Sequence, residues 1–429
     1  MATGRARDEG TRAGPDSGSA QEDGTRAGAP AGSDAGSAWV DPGSAGSGPR
    51  TQQDAPGPVD ADPRLAQSEP RLVELIRHEI AAAPAGRITF ARFMERALTE
   101  PGLGYYATSA DRPTRGGDFL TAPELHPFFG RCLGRQLAEA WSLLGEPETF
   151  TVREFGAGRG TLDRAVRDGL SADGSGLADA LEWVAVDLPD RAAAPAPAPF
   201  TGALVANEFL DALPVHRVVQ RGETLLERYV SWRDGWFVEE EAELSAPAVA
   251  ARLEAESIRL ADGQVAEVCL AGPEWLAHAA ADLAHGLVLL VDYGMEARDL
   301  YGPRHMAGTL VTYRGHRVGD DPFSAVGRQD LTAHVDLTAL EQAGRDAGLD
   351  LLGSISQAEF LAGLGLGELL RDRGRDPATD PEAYLLARAS VARLLDPRYL
   401  GGFRVALFGR GLPTEPRLRG LSLGHAAKA

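Results

Sequence analysis

The 429-residue chain carries a formal net charge of −19 and is 43% hydrophobic, so it is long enough and apolar enough for one large or two ordinary domains. Its acidic balance, with Lys428 the only lysine, argues against a binder of nucleic-acid backbone, which needs clustered Lys and Arg. No apolar run reaches the roughly 18 residues of a membrane span, the N-terminus lacks the apolar stretch of a signal peptide, and Cys132 and Cys269 form no C-x-x-C pair, so a reduced, cytoplasmic setting is expected.

Residues 1–67 are Gly, Ala, Ser, Pro and Asp with almost no branched apolar side chain, a composition that cannot offset chain entropy and is expected to be disordered. Order is expected near Ser68, a helix cap ahead of Pro70, with Leu72, Leu75, Ile76 and Ile80 on one face. A second amphipathic helix carries Phe90, Phe93, Met94 and Leu98 and stops at Pro101-Gly102. Tyr105 and Tyr106 follow; packing is the simpler reading of both, substrate contact the other. At Arg115–Glu124, Thr121 reads as a cap with Glu124 as its capping-box partner, although Gly116-Gly117 beside Asp118 is more backbone freedom than a cap requires. An apolar helix through Leu133, Leu137 and Trp141 comes next, with His126 and Cys132 read as packing residues.

The centre of the chain is Thr151–Leu162, where a short alternating strand runs into Gly156, Gly158 and Gly160 before a helix opens at Thr161. Glycines there admit positive φ and let a ligand approach the backbone, and the helix N-terminus favours an anionic or polar group. A dinucleotide fingerprint would need its third glycine at Thr161. The spacing is instead E-x-G-x-G-x-G from Glu154, the loop used by enzymes of S-adenosylmethionine (SAM), so a nicotinamide-dependent enzyme is disfavoured. Leu181–Asp187 reads as the next strand; Asp187 at its end is a candidate for the ribose hydroxyls or an ordinary turn acid. A buried strand at Gly202–Ala206 then delivers Asn207, Glu208 and Asp211, an amide and two carboxylates that are costly to bury unless they bind something polar.

Residues 215–240 alternate in short β-branched and aromatic runs broken by Arg221-Gly222 and Asp234-Gly235, which signals a small antiparallel insertion. Helical stretches flank a strand at Val265–Leu270, and Leu287–Val291 is a fully buried strand that brings Asp292 and Tyr293 to the same edge as Asp187 and Asn207. A further strand and exit loop follow at Gly308–His316, and Gln329–Asp336 caps a helix begun at Leu337. His316 and His334 are possible acid–base groups, though a lone histidine is more often structural. No metal-ligand spacing is present, so no metal site is expected, and there is no nucleophile elbow or phosphate-loop lysine.

Taken together, G-D-F-L-T-A-P-E at Gly117–Glu124, E-F-G-A-G-R-G at Glu154–Gly160, N-E-F-L-D-A-L-P at Asn207–Pro214, V-D-Y-G at Val291–Gly294 and Q-D-L-T-A-H-V-D at Gln329–Asp336 resemble the MidA family of SAM-dependent methyltransferases. That family includes the mitochondrial assembly factor for respiratory complex I, and the resemblance runs from about Ile88 to Phe408. It implies an α/β fold of class I methyltransferase type, Rossmann-like and doubly wound, with an N-terminal helical segment and a β-hairpin insertion. It also implies a protein substrate methylated on arginine, such as a complex I subunit. By position, Glu154, Gly156, Gly158, Gly160 and Asp187 would hold SAM, and Gly117 and Asp118 would close over it. One departure is Asp187-Leu188-Pro189, where Glu followed by a small polar residue is expected.

The expected division is therefore a disordered extension over 1–67, a helical cap with a cofactor-closing loop over 68–149, a core over 150–412 with its insertion around 215–285, and a flexible tail over 413–429. For methylation of a guanidinium, which is planar and always charged, Glu208 and Asp211 offer the paired carboxylates, with Glu208 the first choice of base and Asn207 positioning. Asp211 as a turn cap, and Asp292 or Tyr293 as pocket lining, remain alternatives. Competing functions are methylation of a small molecule and a non-catalytic assembly scaffold that binds SAM.

Overall fold

The computed structural model describes residues 63–111, 121–187, 199–315, 317–376, 380–415 and 417–424. The N-terminal region gives α1 (Pro70–Ala82), β1 (Arg87–Thr89), α2 (Phe90–Thr99), α3 (Ala122–Leu125) and α4 (Phe128–Leu143). Next come β2 (Phe150–Phe155), α5 (Thr161–Asp173), α6 (Leu177–Ala180), β3 (Leu181–Val186) and β4 (Phe200–Asn207). The insertion holds β5 (His216–Arg221), β6 (Thr224–Arg233), β7 (Trp236–Ala242), α7 (Pro247–Ala255), β8 (Val265–Val268) and α8 (Ala271–Ala281). After it run β9 (Leu283–Asp292), β10 (Gly294–Met295), α9 (Ala297–Leu300), β11 (Val311–Arg314), β12 (Arg317–Gly319), β13 (Asp330–Thr332), β14 (Val335–Asp336) and α10 (Leu337–Asp346). The chain closes with β15 (Asp350–Ser356), α11 (Gln357–Gly363), α12 (Leu366–Arg375), α13 (Pro381–Leu395) and β16 (Arg404–Arg410).

The larger sheet has the order β15-β16-β9-β4-β2-β3, with β9, β4, β2 and β3 parallel and β16 antiparallel to both its neighbours. Period-two alternation on its central strands sends side chains into cores on both faces. Val205 and Leu289 join Leu133, Leu137, Val166 and Leu170 of α4 and α5 on one side. Leu204 and Leu290 meet Leu276 and Leu340 of α8 and α10 on the other. This is the expected doubly wound α/β architecture, and it brings the carboxyl ends of β2, β3, β4 and β9 to one edge.

The insertion is larger than a hairpin, because β5, β6, β7 and β8 are joined by β1 in one antiparallel sheet. α1 and α2 pack on that sheet, where Phe93 meets Phe237 and Phe323 edge-on at 5.4 and 5.2 Å. The 68–149 segment thus divides between two cores, with α1 and α2 on the insertion and α4 against α5.

Three local expectations are corrected. Ser68 does not cap α1: Glu69 takes the cap position, and the Ser68 hydroxyl accepts the Val326 N–H at 2.9 Å. Thr121 makes no side-chain cap on α3, whose Ala122 N–H is taken by the Glu208 carboxylate at 2.9 Å. The tail is not flexible as far as residue 424, because Leu418 and Leu421 are buried in the same core as α4 and α11. By contrast, Asp336 caps α10 as expected, accepting the Ala339 N–H.

Leu421 is 1% exposed and Leu423 54%. Leu421→Ala is expected to destabilise the fold by about 2–5 kcal/mol and Leu423→Ala by less than about 0.5 kcal/mol, read from denaturant midpoints. Equal, negligible effects would mean that the segment does not pack.

Candidate active site

The loop after β2 turns on three left-handed glycines, with φ of 69° at Gly156, 52° at Gly158 and 64° at Gly160. A Cβ on Gly160 would meet nothing within 4 Å, and one on Gly158 only the Gly156 carbonyl oxygen at 4.0 Å, so both border open space. Gly156 instead backs onto Phe209, whose ring a Cβ would approach to 3.1 Å. α5 begins at this point with no side-chain cap, leaving its first N–H groups directed at the same space. Asp187, at the end of β3, accepts the Gly158 N–H at 3.0 Å and so ties the next strand to the loop. An open cradle of backbone N–H groups beside an acid fits an adenosyl amino acid with a ribose and a carboxylate.

Glu154 behaves differently from its neighbours in the motif. Its side chain is buried and accepts the Trp183 indole N–H at 2.8 Å, and burial raises its pKa to about 7 against that bond. It braces β2 against β3 behind the loop. Gly117 and Asp118 lie outside the described residues, as does His316.

At the end of β4 the backbone enters the left-handed region that a residue other than glycine rarely adopts: Glu208 has φ of 52°. Such a conformation costs of order 1–3 kcal/mol and persists only where the surroundings enforce it. The Glu208 N–H donates to the Val291 carbonyl at 2.8 Å, while its carboxylate Oε1 accepts from the Ala122 N–H at 2.9 Å and from Asn207 Nδ2 at 3.0 Å. Burial nonetheless dominates and, with Asp211 and Glu124 adding repulsion, raises Glu208 to about 8. Asn207 presents its other amide atom, Oδ1, buried and without a partner.

Asp292 is what holds this turn. One of its oxygens accepts the N–H groups of Phe209, Leu210 and Asp211 at 3.2, 2.8 and 3.2 Å, and the other accepts the Tyr293 N–H at 2.9 Å. Burial and the nearby Asp211 raise Asp292 well above the ordinary carboxylate range. Asp211 is buried beside it and is raised by burial as well, against the pull of the facing Tyr293 hydroxyl and the local N–H groups. Among the described residues, no arginine or histidine forms an ion pair with Glu208, Asp211 or Asp292. His334 is held neutral, lowered to about 4 chiefly by burial, and lies edge-on to Tyr293 at 5.0 Å.

The structure thus gathers Gly156, Gly158, Gly160, Asp187, Asn207, Glu208, Asp211, Asp292 and Tyr293 at one sheet edge. Sequence reasoning missed the turn-holding role of Asp292, for which the only signal was an acid at the end of a fully apolar strand. It also missed Asp330, which accepts the Tyr106 hydroxyl at 2.8 Å.

Comparison with known proteins gives the site a context. Residues 132–195 and 163–355 match the model of a family described as "Putative S-adenosyl-L-methionine-dependent methyltransferase". A Burkholderia thailandensis protein solved bound to S-adenosyl-homocysteine is 35% identical, with a TM-score of 0.73, the match covering 85% of this chain and 97% of that one. The mitochondrial protein arginine methyltransferase NDUFAF7 of Danio rerio is 26% identical over 367 residues, covering 74% of this chain and 82% of that protein. Its Homo sapiens counterpart is 28% identical over 349 residues, covering 68% and 74%.

Gly158→Val would place a β-branched side chain at φ of 52° and into the open space of the cradle. SAM affinity, measured by calorimetry, is expected to fall by roughly tenfold or more, beyond the loss of about 1–2 kcal/mol of stability that a left-handed non-glycine residue imposes. Unaltered affinity would remove the loop from the cofactor site.

Proposed function

The chain belongs to this S-adenosyl-L-methionine-dependent methyltransferase family, and from that premise we propose that its acceptor is an arginine side chain of a protein, in a step linked to respiratory complex I assembly. The observation that carries the proposal is the group of three carboxylates, the buried Asp211 and Asp292 and the half-buried Glu208, with no cation paired to them among the described residues. Uncompensated carboxylates in a dry site strongly favour a cationic ligand, and the names of the NDUFAF7 relatives support arginine as its source.

In this reading Gly156, Gly158, Gly160 and Asp187 hold the cofactor, which supplies a sulfonium-activated methyl group. Glu208 and Asp211 pair with the incoming guanidinium and fix its plane, so that one nitrogen is presented in line with the methyl carbon. As that nitrogen forms its new bond its N–H becomes acidic, and Glu208 takes the proton. Asn207 orients the Glu208 carboxylate through Nδ2. Burial that raises Glu208 to about 8 makes it a stronger base than an exposed carboxylate. A non-catalytic scaffold has no use for a strained, proton-hungry acid at this position, and a neutral small substrate would do nothing to favour its ionised form, as a guanidinium does.

The direct test is transfer of labelled methyl from SAM into an extract of a strain that lacks the gene. Label in one protein band, mapped by mass spectrometry to arginine, supports the proposal; label confined to small molecules, or none at all despite cofactor binding, defeats it. Glu208→Gln should lower the transfer rate by about 10²–10⁴-fold and leave SAM affinity near normal. Equal loss of both would end the assignment of Glu208 as base.

The pH dependence has a definite sign. Glu208 works deprotonated, so kcat/KM should rise with pH and level off above about 8, the value in the free enzyme. The kcat profile should turn at lower pH, because a bound guanidinium favours the ionised carboxylate. Rate measurements from pH 6 to 10 that fall across this range would contradict the assignment.

A further inference from the structure

The wall facing Asp211 is built by elements outside the doubly wound sheet. Tyr313 on β11 stands opposite Asp330 on β13, and Asp330 and Thr332, two residues apart, share that face, while Leu331 between them turns into the N-terminal core. Tyr106 donates its hydroxyl to Asp330 Oδ1 at 2.8 Å, and the Leu331 N–H donates to the same oxygen at 2.9 Å, which holds the carboxylate still. The Ala333 N–H donates to the Asp211 carbonyl at 2.9 Å and stitches β13 to the turn after β4.

Three phenols surround the two acids. Asp211 and Asp330 both act on Tyr106 and on Tyr313, and Asp211 acts on Tyr293, each raising the phenol above its ordinary range after burial has done most of the work. The acids themselves are 7% and 9% exposed. Beside them the Thr332 hydroxyl, on a residue 3% exposed, faces the buried Tyr293 hydroxyl, which in turn faces Asp211, and neither hydroxyl is held in good hydrogen-bond geometry. Each keeps lone pairs that a ligand rich in N–H donors would engage.

On the reading that the acceptor is arginine, we infer that Asp330, braced by Tyr106, forms with Tyr293, Tyr313 and Thr332 the wall that selects a guanidinium over an ammonium. A guanidinium is planar, carries five N–H donors in a fixed fork and is weakly hydrated, so it can reach Asp330, Asp211 and the two hydroxyls at once and lie against phenol faces. A lysine ammonium has three tetrahedral donors and is strongly hydrated, and it would leave part of this wall unserved. Asp330 binds the acceptor in this scheme, Tyr106 is a positioning residue that acts through it, and no proton passes through either.

The test is calorimetric binding of N-acetyl-arginine amide and N-acetyl-lysine amide to the full-length protein saturated with S-adenosylhomocysteine. The wild type is expected to prefer the arginine probe by tenfold or more. Asp330→Asn should erase that preference, Tyr106→Phe should weaken it several-fold, and Asp330→Glu should restore part of it, all with S-adenosylhomocysteine affinity unchanged. No arginine preference in the wild type, or a preference that survives Asp330→Asn, would overturn the inference. Failure of the base assignment is separately visible: it appears as methyl transfer surviving in Glu208→Gln while the arginine preference still depends on Asp330.

Discussion

The buried carboxylate of Asp292 is the contact on which the rest of the site depends. Three consecutive N–H groups, from Phe209, Leu210 and Asp211, converge on one of its oxygens. Three donors can converge in this way only if the chain turns sharply at the end of β4, and the sharp turn is what leaves Glu208 with φ of 52°. The strain at Glu208 and the hydrogen bonds at Asp292 are two sides of one arrangement. The same turn brings Phe209 against Gly156, so the position of Glu208 and Asp211 is tied to the loop after β2.

That arrangement is electrostatically expensive in the unliganded protein. Glu208, Asp211 and Asp292 are all pushed up by burial, Glu208 and Asp292 also by Asp211, and Asn207, the Tyr293 hydroxyl and a few N–H groups offset only part of the cost. Elsewhere the chain does the opposite: Asp173, for example, is lowered to about 2 between Arg131 and Arg135 once their bonds outweigh its burial. With arginines this abundant, their absence around the three site carboxylates among the described residues is a property of the site and not of the composition. A cationic acceptor would take the place that structural arginines fill in the rest of the fold.

Much of the sheet was legible in the sequence because its strands obey simple periodicities. Leu287–Val291 is apolar without interruption, as a strand buried on both faces must be, and Thr151–Phe155 runs into glycines that no helix or strand accommodates. Asn207, Glu208 and Asp211 stood out because acids directly after a buried strand need a reason. What escaped was decided by pairing across long sequence distances. Thr121 looked like a helix cap, but its side chain caps nothing, and the first N–H of the helix, on Ala122, donates to Glu208, 86 residues from it. Asp330 read as part of a cap for the helix at Leu337, and only the register of β13 against β11 turns it toward Asp211. Residues 413–429 looked like a tail because Pro, Gly and Arg dilute Leu418 and Leu421, and burial of those two is a tertiary fact that local composition cannot carry.

The two cores divide the work along chemical lines. The doubly wound sheet supplies the glycine cradle, Asp187 and the turn with Glu208. Tyr106 follows a helix of the second core, and β13, which carries Asp330 and Thr332, inserts Leu331 into that core. Cofactor binding asks for the same backbone geometry whatever is methylated, whereas the acceptor decides which side chains must face the methyl group. On the proposed reading, Tyr106, Asp330 and Thr332 can change without disturbing the strand ends that would hold the cofactor, whereas Tyr293, which follows β9, belongs to the sheet's own core. The hydrogen bond from the Ala333 N–H to the Asp211 carbonyl joins the two regions, and on that reading it is the contact that places the wall against the carboxylates.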